Sequence, residues 1–124
     1  MQLAKDLCRT ISEDVVLTPS MDVLDFGCGT GLLTLQLSAY TGRVTGVDSS
    51  QGMLDILDRK VRSCQVGNVT TRRVDLECGD VLDGAYDLVV STMTLHHIRE
   101  VIPLLEQFAR ILNPGGRVCI ADLD

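Results

Sequence analysis

The sequence predicts an α/β fold, a doubly wound, Rossmann-like parallel sheet, from three observations. Short apolar runs alternate with amphipathic stretches, which is the pattern of βαβ units. The run Val23-Leu24-Asp25-Phe26 opens directly into the glycine-rich turn Gly27-Cys28-Gly29-Thr30-Gly31, and a helix-like segment follows. The apolar runs end in polar residues, Asp25, Asp48, Asp75, Ser91 and Asp122. At 124 residues and 45% hydrophobic content the chain is sized for one domain, residues 1–124, with a substantial core.

Each element follows from its own pattern. Leu3, Leu7, Ile11 and Val15 recur every four residues and predict an amphipathic helix closing before Pro19. A first strand is expected over 21–26 and a helix over 32–40, ended by Thr41-Gly42. The second strand covers 43–47, with Asp48 at its carboxyl end. Ser49 or Ser50 caps the next helix, whose Met53, Ile56, Leu57 and Val61 form one face up to Cys64. Residues 69–74 read as a third, more polar strand near a sheet edge. The stretch 76–85 is too short and too broken for a good helix. Residues 87–91 form a continuous apolar run, as a strand buried on both faces requires. Residues 98–112 are expected to be helical, with Leu104, Leu105, Phe108, Ile111 and Leu112 inward and Pro103 in the first turn. Asn113-Pro114-Gly115-Gly116 then turns into a fifth strand over 117–121.

Ligands of such sheets bind at the carboxyl ends of the strands, so four acids on that rim mark a site for hydroxyls, amines or positive charge. Glycine reaches φ > 0 without penalty and lets a ligand lie against the main chain. The amides that open the next helix favour an anionic group. Asp48 lies about twenty residues beyond the first glycine and suits a ribose diol, which fits nicotinamide cofactors and S-adenosylmethionine alike. Three features favour the second. The spacing is Gly-x-Gly-x-Gly, where the dinucleotide fingerprint places its third glycine one residue later. Asp25 just before the glycines would repel a pyrophosphate but suits an ammonium or a sulfonium. Asp75, in competition with Asp80, can accept from an adenine amino group, with Leu76 beside the ring.

The segments VLDFGCGTG at 23–31, VTGVDSSQGML at 44–54, YDLVVSTMTLHHI at 86–98 and ARILNPGGRVCIAD at 109–122 carry a resemblance. In this order they resemble the class I S-adenosylmethionine-dependent methyltransferases, particularly the small-molecule branch similar to the ubiquinone and menaquinone biosynthesis methyltransferases. The resemblance implies strand order 3-2-1-4-5, S-adenosyl-L-methionine as cofactor and a small-molecule methyl acceptor. It implies that Asp25, Gly27, Gly29 and Gly31 hold the methionine end and that Asp48 takes the ribose hydroxyls. Ser49 and Met53 then border the adenosine, Asp75 and Leu76 receive the adenine, and Ser91 lies where the methyl points. The family adds a reversed β-hairpin after strand five, whereas this chain stops at Asp124. A C-terminally truncated domain is therefore expected, one that keeps its cofactor contacts, turns over little and self-associates through the strand-five edge.

Other classes fit less well. A net charge of −6 argues against a nucleic-acid surface, and no apolar run approaches the ~18 residues of a membrane span. Five cysteines, an odd number with no C-x-x-C pair, fit a reduced, cytoplasmic chain and no cysteine metal cluster. Strand four runs Ser91-Thr92-Met93-Thr94 and lacks the Asn/Asp-Pro-Pro-Tyr/Phe of methylases acting on base or glutamine amino groups. Cys28 reads as a small residue beside the ligand, His96 and His97 as packing or capping groups, and Met21, Met53 and Met93 as core fillers, Met53 the one that also touches ligand. A cofactor-binding module without chemistry of its own is the alternative function. A nicotinamide-dependent oxidoreductase is a weaker one, since no Tyr-x-x-x-Lys pair is present.

Overall fold

In a computed structural model, residues 15–91 and 101–120 are described. The expected N-terminal helix, His96, His97, Met93 and Asp122 lie outside them. The described elements are β1 (Asp22–Phe26), α1 (Leu32–Ser38), β2 (Arg43–Asp48), α2 (Gln51–Ser63), β3 (Val69–Arg73), a 3₁₀ turn (Leu76–Cys78), β4 (Tyr86–Ser91), α3 (Val101–Ile111) and β5 (Leu112–Ile120). Every strand pair is parallel, as the alternating pattern predicted, and the sheet order is β3-β2-β1-β4-β5, as the family resemblance implied.

Strand alternation gives the sheet two apolar faces. Val23, Val44, Leu88 and Val90 meet Leu33 and Leu37 of α1 on one side. Leu24, Phe26, Val47 and Val89 meet Leu104, Phe108 and Ile111 of α3 on the other. Phe26 and Phe108 pack edge to face, with centroids 5.3 Å apart. Deleting either ring would cost about 3–5 kcal/mol, the usual price of a truncated core aromatic.

Several boundaries differ from expectation for local reasons. α1 stops at Ser38, where the Asn68 side-chain amide donates to the carbonyls of Ser38 and Thr41. Ser50, not Ser49, caps α2 by accepting from Met53 N at 3.3 Å. Residues 76–85 form no α-helix, as expected, and hold only the 3₁₀ turn Leu76–Cys78, which Asp75 caps by accepting from Glu77 N. Leu105 is exposed and Leu112 already belongs to β5, so neither is an inward residue of α3. Met53 is 44% exposed and is no core filler. β5 starts before its glycines, and its register shifts between Tyr86 and Leu88, where residues 113–116 bulge outward.

Candidate functional site

β1 sits between β2 and β4, and the chain leaves it in opposite directions on its two sides. The carboxyl ends of β1 and β4 therefore border the crevice where sheets of this kind take ligands. The glycine loop closes over this point. Gly27 N and Cys28 N both donate to Val47 O, at 2.8 and 3.0 Å, which folds the loop back onto β2.

Glycine is required here for two separate reasons. Gly31 has φ 86°, and a Cβ on it would lie 2.2 Å from Leu57 Cδ1, so α2 is the floor on which the loop rests. Gly29 has φ 58°, yet a Cβ there would meet nothing within 4 Å. Its outer side is open space at the mouth of the crevice. Lys60 of α2 adds a tether by donating to Thr30 O at 3.2 Å.

Asp48 holds the loop from β2. One carboxylate oxygen accepts from Gly29 N at 2.9 Å and the other from Ser50 N at 2.9 Å. No local pattern around Asp48 signals this second duty. Each oxygen keeps a further lone pair for a ligand hydroxyl. Asp25 lies beneath the loop, fully buried. Its Oδ2 accepts from Thr34 Oγ1 of α1 at 2.6 Å, while Oδ1 has no partner. Burial pushes the Asp25 carboxyl up to about 6; the Thr34 hydrogen bond opposes the rise and the nearby Asp48 charge adds to it. Burial, and after it the charges of Asp25 and Asp48, hold the Cys28 thiol well above its ordinary range, so it stays protonated.

On the β4 side, Ser91 is buried and its Oγ also lacks a partner. Ser91 pairs with Phe26 and Asp25 with Val90, so the Ser91 and Asp25 side chains emerge on opposite faces of the sheet. Asp75 and Leu76 stand beyond β3, and the Asp75 carboxylate is engaged by Glu77 N and by the Cys78 thiol at 3.3 Å. Asp80 lies beside it and accepts from Asp75 N, so the two competing acids form one cluster. Leu76 packs partly against the α3-side core. Ser49 and Met53 are exposed at the start of α2, with Arg73 Nε on Ser49 O at 3.0 Å. Thus Asp25, Asp48 and the glycines converge at the loop, Ser91 lies at the adjoining end of β4 on the opposite face of the sheet, and Asp75–Leu76 stand apart beyond β3. Sequence reasoning missed Thr34 and Lys60. The signal for Thr34 was one hydroxyl on the otherwise apolar buried face of α1.

The profile of the methyltransferase domain matches residues 23–116, from the start of β1 through the bulge of β5. The chain belongs to the methyltransferase-domain family. This is the class I, S-adenosylmethionine-dependent type that the four sequence segments resemble. An uncharacterised methyltransferase of Schizosaccharomyces pombe is 34% identical over 83% of this chain and 39% of its own length. A demethylmenaquinone methyltransferase of Lactobacillus johnsonii is 33% identical over 80% of this chain and 42% of its own. The YcgJ protein of Bacillus subtilis shares the fold, with a TM-score of 0.85 at 24% identity, covering 95% of this chain and 50% of that one. This methyltransferase domain therefore spans about two fifths of the length of the two curated relatives.

The residues present fit the family's cofactor. An open side above Gly29, a buried acid oxygen without a donor and a tethered carboxylate with spare lone pairs suit a ligand with an ammonium and a diol. No helix among the described residues is long and apolar enough to cross a membrane.

Proposed function

We propose that this domain binds S-adenosyl-L-methionine in the crevice between β1 and β4 and transfers its methyl group to a small-molecule acceptor. The observation that carries the reading is the pair of buried acceptor atoms without partners, Asp25 Oδ1 and Ser91 Oγ, on either side of the switch point. Buried polar atoms are almost always satisfied, and an exception at a crevice calls for a ligand. When bound, the cofactor supplies an electrophilic methyl on a sulfonium.

The chain's part is to bind and orient. Asp25 receives the ammonium, while Gly27, Gly29 and Gly31 let the methionine end lie on bare backbone. Asp48 accepts from the ribose hydroxyls with the lone pairs that Gly29 N and Ser50 N leave free. Ser49 and the exposed Met53 border the adenosine. Asp75 and Leu76 line the adenine, and Ser91 lies toward the methyl. Cys28, held protonated, acts as a small wall residue and not as a nucleophile. Holding acceptor and methyl in line, away from water, provides much of the rate in such a displacement. The demethylmenaquinone methyltransferases among the relatives support a small-molecule acceptor. The odd cysteine count supports a cytoplasmic location. The exposed Val118 and Ile120 on the edge strand β5 support self-association there, which light scattering reads directly.

Calorimetry tests the cofactor. S-adenosylhomocysteine should bind a sample shown to be folded by circular dichroism, and NAD should not. Asp48→Ala should weaken that binding by about 1.5–3 kcal/mol, the worth of hydrogen bonds to a charged group. It should also speed amide exchange at Gly29 and Ser50, the two amides that the carboxylate holds. A folded wild-type sample without affinity for S-adenosylhomocysteine sinks the reading.

A further inference from the structure

We propose that Thr34 is a positioning residue for the cofactor: its hydroxyl engages Asp25 Oδ2 and so reserves Oδ1 for the cationic end of the ligand. The inference rests on the methyltransferase reading and adds a residue to it.

Thr34 is fully buried in α1, one residue from Leu33 and three from Leu37, on the face that packs against the sheet. A hydroxyl there is costly unless it is bonded. A helical threonine commonly turns back to the carbonyl four residues earlier. That carbonyl, Thr30 O, receives Lys60 Nζ, and the Thr34 hydroxyl instead crosses to β1. The 2.6 Å separation lies in the range of hydroxyl bonds to an ionised carboxylate. One carboxylate oxygen is thereby fixed and the other is left bare.

The rotamer and the charge of Asp25 are set together. The titratable groups around it are Asp48, at the end of β2, and the protonated Cys28 thiol in the loop. Asp58 of α2 acts on Cys28 and accepts from Thr71, and the Lys60 ammonium is engaged at Thr30 O. Against burial and the Asp48 charge, the Thr34 hydroxyl is the group that lowers the Asp25 pKa. Without it the carboxyl takes up a proton at higher pH, and a protonated carboxyl no longer attracts an ammonium.

The test is the pH profile of S-adenosylhomocysteine binding by calorimetry between pH 5 and 7.5, with a ¹³C titration of the Asp25 carboxyl in the ligand-free protein. Wild type should titrate near 6 and lose affinity about tenfold from pH 7.5 to 5, since only about a tenth of the carboxyl is ionised one unit below its pKa. Thr34→Val, or Thr34→Ala if the added methyl does not pack, should raise both midpoints by about one unit or more, and Thr34→Ser should restore them. A hydroxyl of purely structural worth would change stability and leave the pH midpoint of S-adenosylhomocysteine binding in place. An unmoved midpoint in Thr34→Val or Thr34→Ala, or a serine variant that behaves like them, overturns the role of Thr34 while the methyltransferase reading stands. An ordinary Asp25 titration in wild type, near 4, does the same without any variant. A folded wild type that binds at no pH overturns the reading itself, and the cofactor role of Thr34 with it.

Discussion

Two aspartates at opposite ends of the same sheet show where this domain keeps bonding capacity in reserve. Asp87, near the amino end of β4, accepts from Asp22 N through one oxygen and from Asn113 Nδ2 through the other, both at 2.9 Å. These bonds latch β1 and the β5 bulge to β4 and hold the Asp87 carboxyl below its usual range. Asp25, at the carboxyl end of β1, is buried, has one oxygen bonded and is pushed upward. One end is satisfied by the protein itself. The other is left for something else, at a cost to the free protein, and that inequality distinguishes a binding rim from a structural one.

The largest effect should come from breaking the loop that closes the carboxyl end. Gly31→Ala combines a left-handed backbone with a Cβ 2.2 Å from Leu57, a side chain that is itself fully buried. Strain of about 1–2 kcal/mol and overpacking of about 1–3 kcal/mol give a loss of roughly 2–5 kcal/mol in urea unfolding. Gly29→Ala carries only the strain, about 1–2 kcal/mol, because its Cβ meets open space. Equal losses for the two would mean that α2 is not the floor of the loop.

Asp25 itself should carry the next largest effect, and a pH slope reveals it. Its folded value of about 6 lies above the 3.8 of an unperturbed aspartate. The folded state therefore holds the proton more tightly, and this contribution is complete below pH 3.8 and lost as pH rises through 6. A shift of this size corresponds to about 3 kcal/mol. Asp25→Asn has no proton to lose there, so its stability relative to wild type should climb by up to that amount between pH 4 and 7.5. Parallel urea-unfolding curves for the two proteins over that range would show that Asp25 carries no such burden.

Much of this was legible in the chain and some was not, for physical reasons. The parallel sheet and the acids at its strand ends follow from periodicity and from polar residues ending apolar runs, both local patterns, whereas the strand order came with the family resemblance. Gly31 could be read as a turn residue, but its need to clear Leu57 depends on α2 folding back beneath the loop. Asp48 could be placed at a strand end, whereas its hold on Gly29 N is a contact across nineteen residues. The 3₁₀ turn after Asp75 was hidden because one capping carboxylate, and no periodicity, makes it. Leu105 fits an apolar helical stripe as well as its buried neighbour Leu104 does, and only the packing of α3 separates them.

The smallest effect belongs to the amino end, and it sharpens the contrast by its sign. Asp87→Ala removes the acceptors for Asp22 N and Asn113 Nδ2, but the carboxylate is only partly shielded, so water replaces much of what is lost. A loss of about 1 kcal/mol is expected. Its pH dependence runs opposite to that of Asp25. The folded value of Asp87 is lowered, so its contribution is present above the ordinary aspartate range and fades as pH falls through the lowered value. Below pH 4, Asp87→Ala should therefore approach wild-type stability, whereas Asp25→Asn departs from wild type as pH rises. Affinity for S-adenosylhomocysteine should stay within about twofold of wild type, since distant sites without shared partners act independently. An affinity loss in Asp87→Ala as large as that in Asp48→Ala would mean that the latch at the amino end is transmitted along β4 to Ser91, and the two ends would have to be treated as one coupled unit.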